Sequence, residues 1–212
     1  MPKQFFITGT DTGVGKTVVS ALLCAVTSAL YWKPIQTGAS EETDRCAVMR
    51  YAEVPPERTV PEAYCFDPPV SPHLAAAWAG VRIDLDRLRL RSEWAGKELV
   101  VEGAGGVLVP LNEEQFMADL MRELGLPVLL ACRSGLGTIN HTLLSLAALR
   151  ERGVKVHGVV MVGPENGDNR NAIEKYGGVP VLGTIPLLPR VERRQLIQAF
   201  QDHFDPGVLD RQ

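Results

Sequence analysis

Short apolar runs alternate with amphipathic helical stretches along this chain, and the alternation limits the folds that it can adopt. The runs predicted as buried strands are Phe5–Thr8, Leu99–Glu102, Val128–Cys132, Val156–Val162 and Val181–Thr184, with Leu30–Lys33 as a weaker candidate. Apolar residues repeat at helical spacing over 18–26 and 139–147, and Val191–Phe204 is predicted as a terminal helix. Runs that are apolar on both faces indicate a parallel sheet with helices on both sides. The pattern therefore predicts a three-layer α/β/α fold around a mostly parallel central sheet.

The segment 38–72 interrupts this alternation. Its prolines break any long helix, so it is predicted as a loop-rich excursion that carries a short helix around Asp44–Tyr51. The 212 residues fit one domain, 1–212, better than two small ones, and this length is enough to bury a full core.

The composition argues against several function classes. With a net charge of −3 and scattered basic residues, the chain lacks the basic field that nucleic acids or anionic membranes attract. No run reaches the roughly 18 apolar residues of a membrane span, and no signal peptide opens the chain. A cytoplasmic location is expected. The four cysteines show no metal-type or disulfide-type spacing and are expected to be reduced and largely buried.

The segment from Gly9 to Thr17, GTDTGVGKT, follows the first predicted strand and opens the first predicted helix. Such a loop directs backbone N–H groups and a helix N-terminus at one point, which suits phosphate. Lys16 would neutralise the β- and γ-phosphates, and the Thr17 hydroxyl would bind Mg²⁺. Thr10 stands where the usual G-x-x-x-x-G-K-T pattern has its first glycine. A glycine-rich turn is the alternative, but the strand before and the helix after favour nucleotide binding.

Two acidic residues are candidates to complete a magnesium site, since this ion prefers carboxylate oxygens. Glu102 ends a buried run and precedes the sequence GAGG, which places a carboxylate beside the phosphate loop. The alternative is a residue that only caps a turn. Asp44 belongs to the acidic stretch 41–44, where a solvated position explains it equally well.

Lys33 ends the weak second strand and is followed by Pro34 and then by small polar residues. A lysine at the carboxyl end of a parallel strand points into the same crevice as Lys16. Two converging ammonium groups would suit an anionic reacting group beside a γ-phosphate. A surface lysine is an equally good interpretation of Lys33 taken alone.

Six segments carry a family resemblance. They are GTDTGVGKT at 9–17, YWKPIQTG at 31–38, SPHLAA at 71–76, VEGAGG at 101–106, GLGTINH at 135–141 and GTIP at 183–186. In this order, and over nearly the whole chain, they resemble the dethiobiotin synthetase family. The first two are highly specific, whereas VEGAGG also occurs in related amidoligases. The resemblance implies a P-loop NTPase fold and an ATP- and Mg²⁺-dependent cyclo-ligase of biotin biosynthesis.

The resemblance also implies roles for individual residues. Lys33 and Lys16 would be catalytic, with Lys33 beside a carbamate. The implied Mg²⁺ ligands are Thr17, Asp44 and Glu102. The implied ATP contacts are Gly13, Val14, Gly15, Lys16, Thr17, Val18, Asp44, Glu102, Gly103, Ala104, Gly105, Gly163, Pro164, Pro186, Leu187 and Leu188. The implied substrate contacts are Thr12, Thr37, Leu136 and Asn140, of which the last two lie in a loop that reaches across the family's homodimer.

The implied reaction converts 7,8-diaminononanoate and CO₂ to dethiobiotin, with ATP converted to ADP and phosphate. One amine takes up CO₂ to form a carbamate, whose oxygen attacks the γ-phosphoryl group. The second amine then closes the ring on the carbamic–phosphoric anhydride. This chemistry asks the protein for positioning and positive charge rather than for a nucleophile. The implied partners are these small molecules and a second copy of the chain, with the active site at or near the subunit interface.

Three features depart from the family pattern. Gly163-Pro164 stands where an asparagine that reads adenine is common, which leaves base selectivity open. The connection before Tyr31 is short and lacks the expected glycine turn, and Asp44 lies in the irregular segment 38–72.

Three other classes of protein fit this sequence less well. A regulatory ATPase of the partition or cell-division type would carry a further lysine near the start of the loop, where Asp11 stands. An amidoligase of the cobyrinate type would need an additional glutaminase domain. A non-enzymatic nucleotide-binding scaffold is disfavoured by Lys33 and Glu102 beside an intact Lys16-Thr17 pair.

Overall fold

A computed structural model describes residues 3–205 and 207–209 of the chain, and its central feature is a sheet of seven parallel strands. In chain order these strands are β1 (Gln4–Gly9), β2 (Leu30–Trp32), β4 (Thr59–Val60), β6 (Leu99–Gly106), β7 (Val128–Arg133), β8 (Val156–Val162) and β9 (Val181–Ile185). They lie in the order β4-β2-β6-β1-β7-β8-β9, and every pairing is parallel. β3 (Ile35–Thr37) and β5 (Tyr64–Phe66) form a separate parallel pair. The predicted parallel sheet is confirmed.

Helices cover both faces of this sheet. They are α1 (Lys16–Val26), α2 (Asp44–Ala52), α3 (Pro72–Trp78), α4 (Met117–Leu124), α5 (Thr138–Glu151), α6 (Gly167–Gly177) and α7 (Arg193–His203). Successive side chains of a strand point to opposite faces. Phe5 and Ile7 accordingly join a core with apolar residues of α1, α2 and α7, and Phe6 joins one with residues of α3 to α6. The three-layer architecture is therefore present.

The segment 38–72 is more regular than the loop-rich excursion that its prolines predicted. The predicted helix is present as α2, but β4 forms one edge of the central sheet and β5 pairs with β3. These strands are only two and three residues long. Runs this short are below the length at which alternating hydrophobicity can be recognised.

Two strand ends also differ from the prediction. β2 ends at Trp32, so that Lys33 follows the strand instead of ending it. β6 continues through the GAGG segment to Gly106 rather than stopping at Glu102. The GAGG segment after Glu102, which the sequence predicts as a glycine loop, is therefore largely strand, and Glu102 lies within β6.

The short connection between α1 and β2 is held by an arginine in place of a glycine turn. The Arg58 guanidinium donates hydrogen bonds to the carbonyl oxygens of Cys24, Thr27 and Ala29, at 3.2, 3.0 and 2.9 Å. These include carbonyls at the end of α1, which have no partners within the helix. Arg58, which is distant in sequence, thus stabilises a connection that has no glycine turn.

All four cysteines are free. Cys24 and Cys132 are buried as expected, whereas Cys46 and Cys65 are exposed, so the prediction of largely buried thiols is only half right. Among the described residues, no helix has both the length and the apolar character that crossing a bilayer requires.

Candidate functional site

A cleft of about 510 Å³ opens at the carboxyl ends of β1, β2 and β6, beside the N-terminus of α1. Twelve of the residues predicted for the site line it, namely Thr12, Gly13, Gly15, Lys16, Thr17, Val18, Lys33, Thr37, Asp44, Glu102, Ala104 and Gly105. Ligands of open parallel sheets bind at this edge. The structure therefore brings together most of the residues that the sequence singled out.

The phosphate loop joins β1 to α1 through two glycines with left-handed backbone. Gly13 has φ +69° and Gly15 has φ +99°, a region that residues with a Cβ rarely adopt. Gly15 also packs closely on β8, since a Cβ there would lie 3.0 Å from Val162. α1 begins at Lys16 with no side chain capping it. Its first N–H groups therefore face the cleft, where they can bind an anion.

Lys16 is folded back onto the loop. Its ammonium donates a hydrogen bond of 2.9 Å to the carbonyl oxygen of Asp11. Burial, reinforced by the positive charge of Lys33, lowers the pKa of Lys16 to about 8. The ammonium is therefore still charged at neutral pH, and it has one neutral hydrogen-bond partner that an anionic ligand could replace.

Glu102 is fully buried within β6. One carboxylate oxygen, Oε1, accepts hydrogen bonds from Thr17 Oγ1 and from Lys33 Nζ, both at 3.1 Å. The other, Oε2, accepts a hydrogen bond of 3.0 Å from the Tyr31 hydroxyl. These partners exclude the interpretation of Glu102 as a residue that only caps a turn.

Asp44 is the first residue of α2, directly after the N-cap Thr43. Its backbone N–H donates a 3.0 Å hydrogen bond to Gln36 Oε1, and its Oδ1 accepts a short hydrogen bond from the Thr17 hydroxyl. Burial would raise the pKa of Asp44, but the Lys33 ammonium and these hydrogen bonds lower it below its usual value. Asp44 is thus part of the cleft and not a solvated surface residue.

Lys33 connects the two carboxylates. Its ammonium lies 2.8 Å from Asp44 Oδ2 and 3.1 Å from Glu102 Oε1, and the side chain is only 5% exposed. Burial would lower the pKa of Lys33, but the two carboxylates outweigh it and raise the pKa above the usual lysine value. The alternative of a surface lysine is therefore wrong.

The oxygen atoms at this point fit a magnesium ion. The Thr17 hydroxyl is within hydrogen-bond distance of both Asp44 and Glu102, so three hard oxygen ligands converge. Within residues 3–205 and 207–209 there is no group of three or more His, Cys, Asp or Glu side chains that could hold a metal. Mg²⁺ does not need one, because it usually keeps several waters and takes one or two carboxylates.

Several predicted residues lie outside this cleft. Gly163 and Pro164 follow β8, and Pro186, Leu187 and Leu188 follow β9. Val14 is buried, and Gly103 lies within β6. Gly163 has φ +134°, and a Cβ there would stand 2.3 Å from Ser134 Oγ, so a residue with a side chain would require Ser134 to move. Leu136 and Asn140 are exposed, at the start of α5.

Sequence reasoning missed several residues of the site. The cleft is also lined by Gln36, Glu41, Glu42, Thr43, Ala47 and Tyr51, and Tyr31 lies behind it against Glu102. Gln36 and Tyr31 belong to the segment YWKPIQTG, which was recognised for its lysine and its threonine. Nothing in the sequence marks Tyr31 as polar in role, because only the neighbouring strand β6 supplies the partner of its hydroxyl.

Comparison with known proteins gives close relatives over almost the whole chain. A family model described as an AAA domain matches residues 3–195. The ATP-dependent dethiobiotin synthetases BioD of Bradyrhizobium sp. and Brucella melitensis are 47% and 45% identical to the chain over 204 residues, which are 96% of this chain and 97% and 95% of those proteins. The biotin biosynthesis bifunctional protein BioCD of Bordetella avium is 54% identical over 90% of this chain, which spans only 41% of that longer protein.

Solved structures resemble the fold at much lower identity. A ParA family ATPase from Chlorobium tepidum TLS has a TM-score of 0.57 at 11% identity, over 99% of this chain and 96% of that one. A chain of the MinC:MinD complex of Aquifex aeolicus has a TM-score of 0.53 at 12% identity, over 98% and 88%. At this identity the likeness supports the fold alone, and it confirms the predicted three-layer α/β/α architecture around a parallel sheet.

Proposed function

The chain belongs to the family of ATP-dependent dethiobiotin synthetases, ligases of biotin biosynthesis, and from this premise we propose which of its residues carry out the reaction. The single observation that supports the proposal is the Lys33 ammonium buried between Asp44 and Glu102, beside the Thr17 hydroxyl. Cation, carboxylates and phosphate loop thereby meet at one point of the cleft. An ATP-dependent ligase needs this combination to bring an anionic nucleophile to a phosphoryl group.

ATP binds with its phosphates in the loop 13–18. The N–H groups at the start of α1 and the Lys16 ammonium face this loop, and both favour an anion. On binding, Lys16 exchanges its hydrogen bond with the Asp11 carbonyl for one with a phosphate oxygen. The base lies toward the ends of β8 and β9, where Gly163, Pro164, Pro186, Leu187 and Leu188 follow the strands.

The reaction uses 7,8-diaminononanoate and CO₂. An amine nitrogen attacks CO₂ and loses a proton to give a carbamate, and a carbamate oxygen attacks the γ-phosphorus with loss of ADP. The second amine attacks the carbamate carbon, and the C–O bond breaks to release phosphate. The Lys33 ammonium stabilises the carbamate oxygens, and Thr12 and Thr37 contact the substrate. Both threonines line the cleft.

Thr17, Asp44 and Glu102 would hold Mg²⁺, and the bound ion would offset the charge that develops on the phosphate oxygens. Lys33 bonds both of these carboxylates, so its ammonium lies beside the position that the three ligands would give the ion.

A second copy of the chain completes the site. α5 exposes Leu144, and the loop before it exposes Leu136. Asn140 is exposed one turn before Leu144, on the same face of α5. This exposed stripe, Asn140 and Leu144, therefore carries both an apolar side chain and a predicted substrate contact. We propose a homodimer through this stripe, with Leu136 and Asn140 reaching the partner's substrate, in the cytoplasm.

The direct test is dethiobiotin formation from 7,8-diaminononanoate, bicarbonate and each nucleoside triphosphate in turn. We expect product with ATP and Mg²⁺, none after EDTA, and recovery when Mg²⁺ is added back. Undiminished product formation in EDTA would contradict the metal site. A chain that hydrolyses ATP equally well without the diamine would contradict the proposed reaction.

A further inference from the structure

The carboxylate of Glu102 is the one fully buried acidic group of the described cleft. A buried carboxylate needs hydrogen-bond donors for both oxygens, because it has given up its water. The donors are divided between the oxygens. Thr17 and Lys33 bond Oε1, the oxygen that faces the proposed Mg²⁺ position, and Tyr31 is the partner of Oε2.

Tyr31 is well placed to hold this oxygen still. Its side chain is fully buried in β2 and packs among apolar residues of the core that includes α1 and α2. The parallel pairing of Tyr31 with Val100 ties β2 to β6, the strand that carries Glu102. The Tyr31 hydroxyl is the donor of the 3.0 Å hydrogen bond, because a carboxylate oxygen only accepts.

We propose that Tyr31 is a positioning residue, whose hydroxyl fixes the Glu102 carboxylate so that the opposite oxygen is directed at the metal. Partners of metal-ligating groups orient their ligands in this way, and their loss typically weakens metal affinity about 10- to 100-fold. The inference rests on the proposed role of Glu102 as a magnesium ligand. It assigns a role in metal binding to a residue that has no contact with the metal or with any substrate.

The test uses Tyr31→Phe, which removes one oxygen and keeps the ring. Mn²⁺ serves as a paramagnetic probe for the Mg²⁺ position, and its binding is measured by electron paramagnetic resonance in the presence of a non-hydrolysable ATP analogue. We expect the dissociation constant of Mn²⁺ to rise about 10-fold or more. The Mg²⁺ concentration for half-maximal turnover should rise with it, while the rate at saturating Mg²⁺ changes much less.

Tyr64→Phe is the matched control. The Tyr64 hydroxyl accepts a hydrogen bond from the backbone N–H of Asp84 at 3.0 Å. Its loss removes a partly buried hydrogen bond that does not involve Glu102, and we expect the Mn²⁺ dissociation constant to stay within about twofold of the wild type. Tyr31→Met, a second variant without the hydroxyl, should weaken Mn²⁺ binding as Tyr31→Phe does, and it serves if the phenylalanine variant folds poorly.

Glu102→Gln distinguishes the proposed role of Tyr31 from the proposed metal site itself. If Glu102→Gln weakens Mn²⁺ binding but neither Tyr31 variant does, the role of Tyr31 is refuted and the metal site stands. If Glu102→Gln binds Mn²⁺ as the wild type does, the proposed metal site itself is wrong. Equal weakening by Tyr31→Phe and Tyr64→Phe would show a general loss of stability and would also overturn the inference.

Discussion

Lys33 shows what can and cannot be predicted at the scale of a single residue. Its predicted place at the end of the second strand and before a proline favoured a lysine in the crevice, and the structure places it there. The ion pairs with Asp44 and Glu102 were not predictable, because residues 44 and 102 are far from residue 33 in the chain and meet it only through the fold. Tyr31 was missed for the same reason, since only the neighbouring strand reveals what its hydroxyl bonds.

The buried ion pairs make a prediction about the protein without metal. Replacing one member of a buried pair leaves the other charge uncompensated, at a cost of about 3 kcal/mol or more. We therefore expect Lys33→Met to lower the free energy of unfolding in EDTA by about 3 kcal/mol, measured by urea denaturation. Mg²⁺ should restore part of this loss, because binding to the folded state alone stabilises it.

Lys97→Met is the control for that measurement. Lys97 is exposed, so its replacement should change the free energy of unfolding by less than about 0.5 kcal/mol with or without Mg²⁺. An equally stable Lys33→Met protein in EDTA would show that the ammonium does not hold the two carboxylates together.

At the scale of the elements, long strands and helices were predictable and short ones were not. β1, β7, β8 and α5 coincide with the predicted runs to within a few residues. β4 and β5 were not predicted, because runs of two or three residues are too short to show periodicity. β6 was predicted to end at Glu102 instead of Gly106, because the glycines after Glu102 indicate a loop. The glycines continue the strand because β1 pairs alongside it as far as Gly106.

The exposed stripe of α5 leads to a prediction about assembly. Leu144 is 61% exposed in the isolated chain, and an interface there would bury it against an apolar partner. We expect Leu144→Glu to raise the dissociation constant of the dimer by about 100-fold or more, because an unpaired charge is costly to bury. Sedimentation velocity at micromolar concentration measures this as a shift from dimer to monomer.

Lys97→Glu provides the comparison for assembly, since it also introduces a glutamate at an exposed position, just before β6. This variant should sediment as the wild type does. A Leu144→Glu protein that is still dimeric would exclude this stripe as the interface, and a monomeric wild type would exclude the homodimer.

At the scale of the whole molecule, the alternation of strands and helices was enough to predict the architecture. Parallel strands joined by helices leave little freedom in topology. This topology also predicts that ligands bind at the carboxyl ends of the strands. The residues proposed to bind the nucleotide phosphates follow from the same local rule, since 9–17 is one continuous segment between β1 and α1. The single domain over 1–212 and the homodimer stay predictions, because neither a domain boundary nor a partner surface is determined by local pattern.

The central claim is that a carbamate oxygen, held by Lys33, attacks the γ-phosphoryl group of ATP. It is tested by starting the reaction with C¹⁸O₂ in unlabelled water, quenching before the label exchanges, and measuring the phosphate by ³¹P nuclear magnetic resonance. Since the attacking oxygen leaves with the phosphate when the ring closes, each phosphate should carry one ¹⁸O. Unlabelled phosphate formed together with dethiobiotin would contradict the claim.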